Sequence, residues 1–204
     1  MGRGGALTLK IALTGGPATG KSYVLDQFRR HGVACLQADQ MAHGVMAAGT
    51  EATAAIAERF GAHVIAEDGS VNRAVLGPIV FADKAARRDL EAIIHPAVYR
   101  SIEVGLRAFA RLDDKGLAVV EIPLLYETGH ASDFDRVIAT VCASDTQLTR
   151  LIERGLSETQ GRLIIAAQMP AEEKAAKANF VIRTDGTPAE TDAQVEQILT
   201  LLLQ

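Results

Sequence analysis

Tryptophan is absent from this chain of 204 residues, and aromatic side chains make up only 4% of it. A core of stacked rings is thereby excluded, so Leu, Ile, Val and Ala must fill the interior. Only two cysteines occur, Cys35 and Cys142, each inside an apolar run and far apart in sequence. Two such residues exclude a disulfide scaffold and lack zinc spacing; buried, reduced thiols are expected. No apolar run reaches the roughly eighteen residues that a membrane span needs. The opening "MGRGGALTLK" carries no apolar signal core, and together these absences lead us to expect a cytoplasmic protein. Basic charge is in deficit: 21 Lys and Arg face 25 Asp and Glu, a net charge of −4. That balance argues against a nucleic-acid partner, which needs a basic face, but leaves room for a local anion site. Repeats and low-complexity linkers are missing as well.

What is present is a folding sequence. Hydrophobic residues at 48% outnumber charged ones at 23%, the balance of a globular chain, and the length suits one large domain. "LTLKIALT" (Leu7–Thr14) reads as a buried strand ended abruptly by glycine. A helix is expected over Lys21–Arg30, then a short strand, Val33–Gln37. From Gln40 to Ala110 the pattern turns helical, with Ala52, Ile56 and Phe60 on one stripe and Val98, Ile102, Leu106, Phe109 and Leu112 on another. That stretch is too long for one crossover and reads as an inserted lobe over residues 40–110. "LAVVEI" (Leu117–Ile122) and "RVIATVC" (Arg136–Cys142) are continuous apolar runs, as strands buried on both faces should be, and "FVIR" (Phe180–Arg183) supplies a possible fifth. Strands alternating with helices predict a parallel α/β sheet. Helix starts are marked by "SDTQ" (Ser144–Gln147) and "SETQ" (Ser157–Gln160), both of capping-box form, and by "TPAE" (Thr187–Glu190), with proline at the first helical position. Gly155 separates the first two of these helices.

The stretch Leu13–Ser22, "LTGGPATGKS", contains Gly15-x-x-x-x-Gly20-Lys21-Ser22, the pattern of a phosphate-binding loop between strand and helix. Glycines let backbone amides turn inward, and those amides with the helix N-terminus form an anion cradle. Lys21 can reach the β- and γ-phosphates of ATP, and the Ser22 hydroxyl can bind Mg2+. The signature Asn-Lys-x-Asp of guanine-specific switches is missing. "LSETQ" (Leu156–Gln160) lacks the two glycines of the transporter signature.

Asp39 follows the second strand, where ligands of a parallel sheet gather. It can orient an attacking hydroxyl and take its proton, work that the loose transition state of phosphoryl transfer leaves to a weak base. A helix cap is the alternative reading of Asp39. Glu121, inside a strand, either binds magnesium through water or faces a buried arginine. Glu127 orients substrate or is a surface acid. Arg150 and Arg154, four apart on one helical face, repel unless an anion or acid is shared, with Arg162 on the next helix. They read either as a lid that neutralises a transferring phosphoryl group or as a solvated face offset by Glu153 and Glu158.

The stretches "LTGGPATGKS", "QADQMAH", "NRAVLGPIVF", "IIHPAV", "IPLLYE", "QLTRLIERGLS" and "RLIIAAQ", in this order, resemble the dephospho-coenzyme A kinases over nearly the whole chain. The resemblance implies a P-loop kinase fold: a five-stranded parallel sheet flanked by helices, a helical acceptor-binding insertion at residues 40–110 and a helical lid at 144–168. It implies transfer of the ATP γ-phosphate to the ribose 3′-hydroxyl of dephospho-coenzyme A, the last step of coenzyme A synthesis. Asp39 is then the acid at the acceptor hydroxyl, and Lys21, Arg150 and Arg154 hold phosphates. Gly15, Gly16, Pro17, Ala18, Thr19, Gly20, Lys21, Ser22 and Tyr23 surround ATP. Arg73, His95, Leu124 and Glu127 lie near the acceptor. By spacing alone His95 reads as a cap before a helix opened by Pro96, and Arg73 as a surface charge. Three places depart from the family pattern: Thr184 stands where Asn is frequent, Pro17 and Ala18 where Ile and Gly are common, and Tyr23 where Thr is common. Pro17 has no amide hydrogen to offer. Two other readings use the same loop, a kinase of another small nucleotide-like acceptor and a non-catalytic ATP-binding module. The latter needs neither Asp39 nor the arginines.

Overall fold

A computed structural model describes residues 9–112 and 116–204. Leu7 and Thr8 of the expected first strand, and the opening stretch read for a leader, lie outside the described residues. Two compact units are formed, one from residues up to 36 and from 106 onward, the other from Gln37–Gly105.

The first unit carries a five-stranded, all-parallel sheet in the order β2-β3-β1-β4-β5. Its strands are β1 (Leu9–Gly15), β2 (Ala34–Gln37), β3 (Leu117–Glu121), β4 (Arg136–Val141) and β5 (Phe180–Arg183). β1 is central, paired in parallel with β3 on one side and β4 on the other. The connection from β1 runs to β2 on one side and that from the adjacent β4 to β5 on the other, so the crevice at their carboxyl ends is a topological switch point. Ile11, Leu13, Val119 and Ile138 are fully buried, as the continuous apolar runs require. Helix α1 (Lys21–Arg30) buries Val24, Leu25 and Phe28 in the same core, joined by Val195, Ile198 and Leu199 of α9 (Pro188–Leu202). This apolar packing holds the end of β1 and the start of α1 in fixed register.

The second unit holds α2 (Ala38–Val45), α3 (Glu51–Phe60), α4 (Arg73–Ala82) and most of α5 (Lys84–Leu112). Met46, Ile56, Val64, Val71 and Leu76 form its core. Thr50 caps α3 by accepting from Thr53 N, and Asn72 caps α4 by accepting from Val75 N. Pro96 does not open a helix, as its spacing suggests; it lies within the continuous α5. There its missing N–H leaves one helical carbonyl unused, and His95, expected at a cap, is a half-buried residue of the helix interior.

The remaining helices of the first unit are α6 (Ser144–Glu153), α7 (Glu158–Ala166) and α8 (Ala171–Lys177). Ser157 forms the expected capping box of α7, and α9 starts at the expected proline, with Thr187 and Glu190 adding a capping box of their own. The expected box at Ser144–Gln147 is not made: Ala143 is the cap residue and gives no side-chain bond. Its task falls to Asp185, whose Oδ1 accepts from Ala143 N at 2.8 Å and Thr146 Oγ1 at 3.2 Å. Gln147 is thereby released for another partner. Among the described residues no helix is long and apolar enough to cross a membrane.

Candidate active site

Each carbonyl of the loop between β1 and α1 has a donor. Lys21 Nζ donates to Gly15 O at 3.1 Å and Gly16 O at 2.7 Å. Thr19 Oγ1 also reaches Gly16 O, at 2.8 Å. Gln147 Nε2 donates to Pro17 O at 2.9 Å, Arg150 Nη1 to Ala18 O at 3.1 Å, and Thr184 Oγ1 to Thr19 O at 3.0 Å. Val24 N closes the series on Gly20 O at 3.1 Å, as α1 begins. With its carbonyls so engaged, the glycine loop before α1 has the form of an anion cradle at a helix N-terminus, to which Pro17 brings no N–H and in which Thr19 N turns to Gly16 O at 3.5 Å. The turn needs left-handed backbone at Ala18 (φ 55) and Gly20 (φ 85). It also needs a bare Gly15, because a Cβ there would lie 2.4 Å from Thr140 Oγ1 and 2.5 Å from Thr140 O. Thr140 and Thr19, both fully buried, share a hydroxyl–hydroxyl bond of 2.7 Å that ties the loop to β4.

Ser22, in the first turn of α1, donates to Glu121 Oε1 at 3.4 Å. Glu121 ends β3 directly across from Leu13 and is 7% exposed. A hydroxyl and a carboxylate at the rim of a phosphate cradle are the hard oxygen donors magnesium takes, since it relies on few protein ligands and on substrate phosphates. Tyr23, one residue on, spends its phenol on Asp192 Oδ1 at 2.7 Å, and this bond raises its pKa.

Arg150 and Arg154 separate. Arg150 reaches the loop, with Nη1 on Ala18 O and Thr184 Oγ1 and Nη2 on Thr184 O. A weaker contact of 3.6 Å joins Nη1 to Cys142 Sγ, whose thiol burial pushes up in pKa and so keeps protonated. All these partners are neutral, so the guanidinium keeps its full charge for an anion. Arg154 follows the last turn of α6 and is exposed. Arg162 pairs with Glu158 at 2.8 Å on α7, the solvated arrangement. A cavity of about 360 Å³, lined in part by Pro17, Gln147, Ile165 and Met169, lies beside the loop.

The segment after β3 is anchored from α8. Lys174 is completely buried; its Nζ donates to Pro123 O at 2.6 Å and pairs with Glu127 at 2.8 Å. Glu127 Oε1 also accepts from Met169 N at 3.0 Å. Burial pushes the Glu127 carboxyl up, but the Lys174 and backbone hydrogen bonds and the Lys174 charge outweigh it, and the pKa is lowered. Leu124, 37% exposed, accepts through its carbonyl from Thr128.

The second unit carries the other expected residues. Asp39 is the second residue of α2 and exposed; Gln37 precedes the helix, so Asp39 is not its cap. A carboxylate in the first turn suits the helix dipole. His43 follows one turn later, and both its ring nitrogens contact Nη1 of Arg73, the first residue of α4.

Sequence reasoning did not find Gln147, Thr140, Lys174 or His43. Thr140 left one trace, a hydroxyl inside an otherwise apolar strand. Gln147 was hidden by a capping pattern it does not use.

A family model described as dephospho-CoA kinase matches residues 9–190. A dephospho-CoA kinase of Anaeromyxobacter dehalogenans is 42% identical over 192 residues, 93% of this chain and 90% of the relative. One from Syntrophotalea carbinolica is 39% identical over 198 residues, covering 96% and 92%. The solved dephospho-CoA kinase of Campylobacter jejuni superposes with a TM-score of 0.70 at 25% identity, covering 95% and 96% of the two chains.

Proposed function

The chain belongs to the dephospho-CoA kinase family, and from that premise we propose how its own residues carry out the transfer of the ATP γ-phosphate to the ribose 3′-hydroxyl of dephospho-coenzyme A. The observation that carries the reading is the run of hydrogen-bonded loop carbonyls from Gly15 to Gly20, with Arg150 docked on it. ATP lays its phosphate chain on the loop, and Lys21 moves from the carbonyls of Gly15 and Gly16 onto the β- and γ-oxygens. Arg150, held by neutral groups, offsets charge on the transferring group at little reorganisation cost. Arg154 approaches from the end of α6.

Asp39 accepts a hydrogen bond from the 3′-hydroxyl and orients it in line. The ribose oxygen forms a bond to the γ-phosphorus as the bond to the β,γ-bridging oxygen breaks. ADP departs with that electron pair, and the hydroxyl proton passes to the Asp39 carboxylate. A loose transition state makes positioning and charge neutralisation the main tasks. Ser22 and Glu121 would hold Mg2+, which would offset negative charge on the phosphates. The family pattern assigns the acceptor to Arg73 and His95 of the second unit and to Leu124 and Glu127 of the first, where Lys174 fixes Glu127 in place. The small-molecule substrates and the two free thiols fit a reducing cytoplasmic setting.

An ADP-release assay with a panel of alcohol acceptors tests this reading. ADP formation that depends on both ATP and dephospho-coenzyme A, with other nucleosides and nucleotides inactive, is expected. Binding of ATP without turnover for any acceptor refutes it.

A further inference from the structure

We propose that Thr184 is a positioning residue of the nucleotide site, which locks the Arg150 guanidinium to the phosphate loop before ATP arrives. The inference rests on the reading that the loop and Arg150 bind the phosphates. Thr184 is the first residue past β5 and is 5% exposed. Its backbone N donates to Val141 O at 2.9 Å, which extends the β4–β5 pairing and fixes the main chain. From that fixed point its polar atoms reach two other elements. Oγ1 accepts from Arg150 Nη1 at 3.0 Å and has Thr19 O at 3.0 Å and Val141 O at 3.4 Å as acceptors for its single hydrogen. Its carbonyl accepts from Arg150 Nη2 at 2.5 Å. One residue therefore grips both ends of the guanidinium, and a two-point grip fixes the plane of the fork as well as its place. The methyl group packs on the same loop, since a Cβ added to Gly20 would lie 3.2 Å from Thr184 Cγ2.

The consequence follows from charge and entropy. A carboxylate in this place would hold Arg150 equally well but would consume its charge. A hydroxyl and a carbonyl hold it and leave the charge available. Ordering a long arginine side chain costs rotamer freedom, and here the fold meets that cost ahead of the ligand. The family pattern often places Asn here. In this chain the hydroxyl is committed to Arg150 and Thr19.

The test compares T184V, T184S, R150M and the double variant T184V/R150M, by ATP KM, acceptor KM and kcat in the ADP-release assay, with thermal melts to verify folding. T184A replaces T184V if the valine variant does not fold. The loss of one buried neutral hydrogen-bonding group should raise ATP KM about tenfold. The acceptor KM should stay within about twofold, because the altered contacts lie on the ATP side. T184S should recover most of the loss. Adding T184V to R150M should cost clearly less than T184V costs alone, because the part that acts through Arg150 is already lost and the Thr19 carbonyl remains. Parental ATP kinetics in T184V, or a full additive loss on the R150M background, would overturn the inference. Parental kinetics in R150M would instead overturn the phosphate reading beneath it.

Discussion

Replacing Lys174 by Met removes a cation whose side chain is completely buried and which serves two oxygens, Pro123 O at 2.6 Å and Glu127 Oε1 at 2.8 Å. Methionine roughly fills the same volume, so the loss is electrostatic rather than a cavity. Breaking a buried pair by deleting one partner costs about 3–5 kcal/mol. Glu127 keeps 24% of its side chain exposed and can be partly rehydrated, so the low end, about 3 kcal/mol, applies. For a chain of this size that lowers Tm by about 6–12 °C. In K174M/E127M an apolar pair replaces the ionic one, and part of the loss should return. The orphaned Met169 N–H, and Pro123 O left with the 3.4 Å bond from Thr14 Oγ1, keep back about 1–2 kcal/mol. Circular dichroism melts and urea titrations of parent, single and double variants read these differences. The pH dependence has a defined sign. The folded pKa of Glu127 lies below its unfolded value, so its contribution is fully present above about pH 4.3 and is lost as pH falls through the folded value. The gap between parent and K174M should therefore narrow on acidification below that point. A K174M protein as stable as the parent, a double variant no better than the single, or a gap that stays constant in acid would refute the reasoning.

Two further substitutions probe the site. D39N should leave the ATP dissociation constant near that of the parent while lowering kcat by about 10²–10⁴, the range for a lost proton acceptor; isothermal titration and the ADP-release assay together separate the two effects. G15A forces a methyl group to within 2.5 Å of the Thr140 carbonyl, backbone that cannot step aside. It should cost about 1–3 kcal/mol of stability and weaken ATP binding, measured by melts with and without nucleotide.

Much of the architecture is legible in local sequence because its causes are local. The bounds of α1 follow from Gly20, Lys21 and an apolar stripe at Val24, Leu25 and Phe28. The capping box of α7 forms where Ser157 and Gln160 foretell it, and α9 starts at the proline that marks it, since such signals need only residues a turn apart. The buried strands declare themselves by unbroken apolar runs. Misreadings occur where a local pattern has a distant competitor. Ser144 and Gln147 have the form of a cap, but Asp185 takes the cap and Pro17 O takes the glutamine. Pro96 has the form of a helix start, but the long α5 carries it in its interior.

Local patterns along the chain are enough to read that a glycine loop follows the first strand, that Lys21 and Ser22 open the helix behind it, and that the order of motifs matches one kinase family. These are statements about neighbours along the chain, and short-range sterics and hydrogen bonding are enough to make them. Long-range packing selects the groups that hold the loop's carbonyls: Gln147, Arg150 and Thr184 arrive from more than 125 positions away. It likewise decided that Lys174 is buried against Glu127 and that Arg150, not Arg154, reaches the loop. Such partners depend on the order in which strands pair and on which helix face meets them. No local spacing encodes that order; it emerges when apolar burial folds the whole sheet at once.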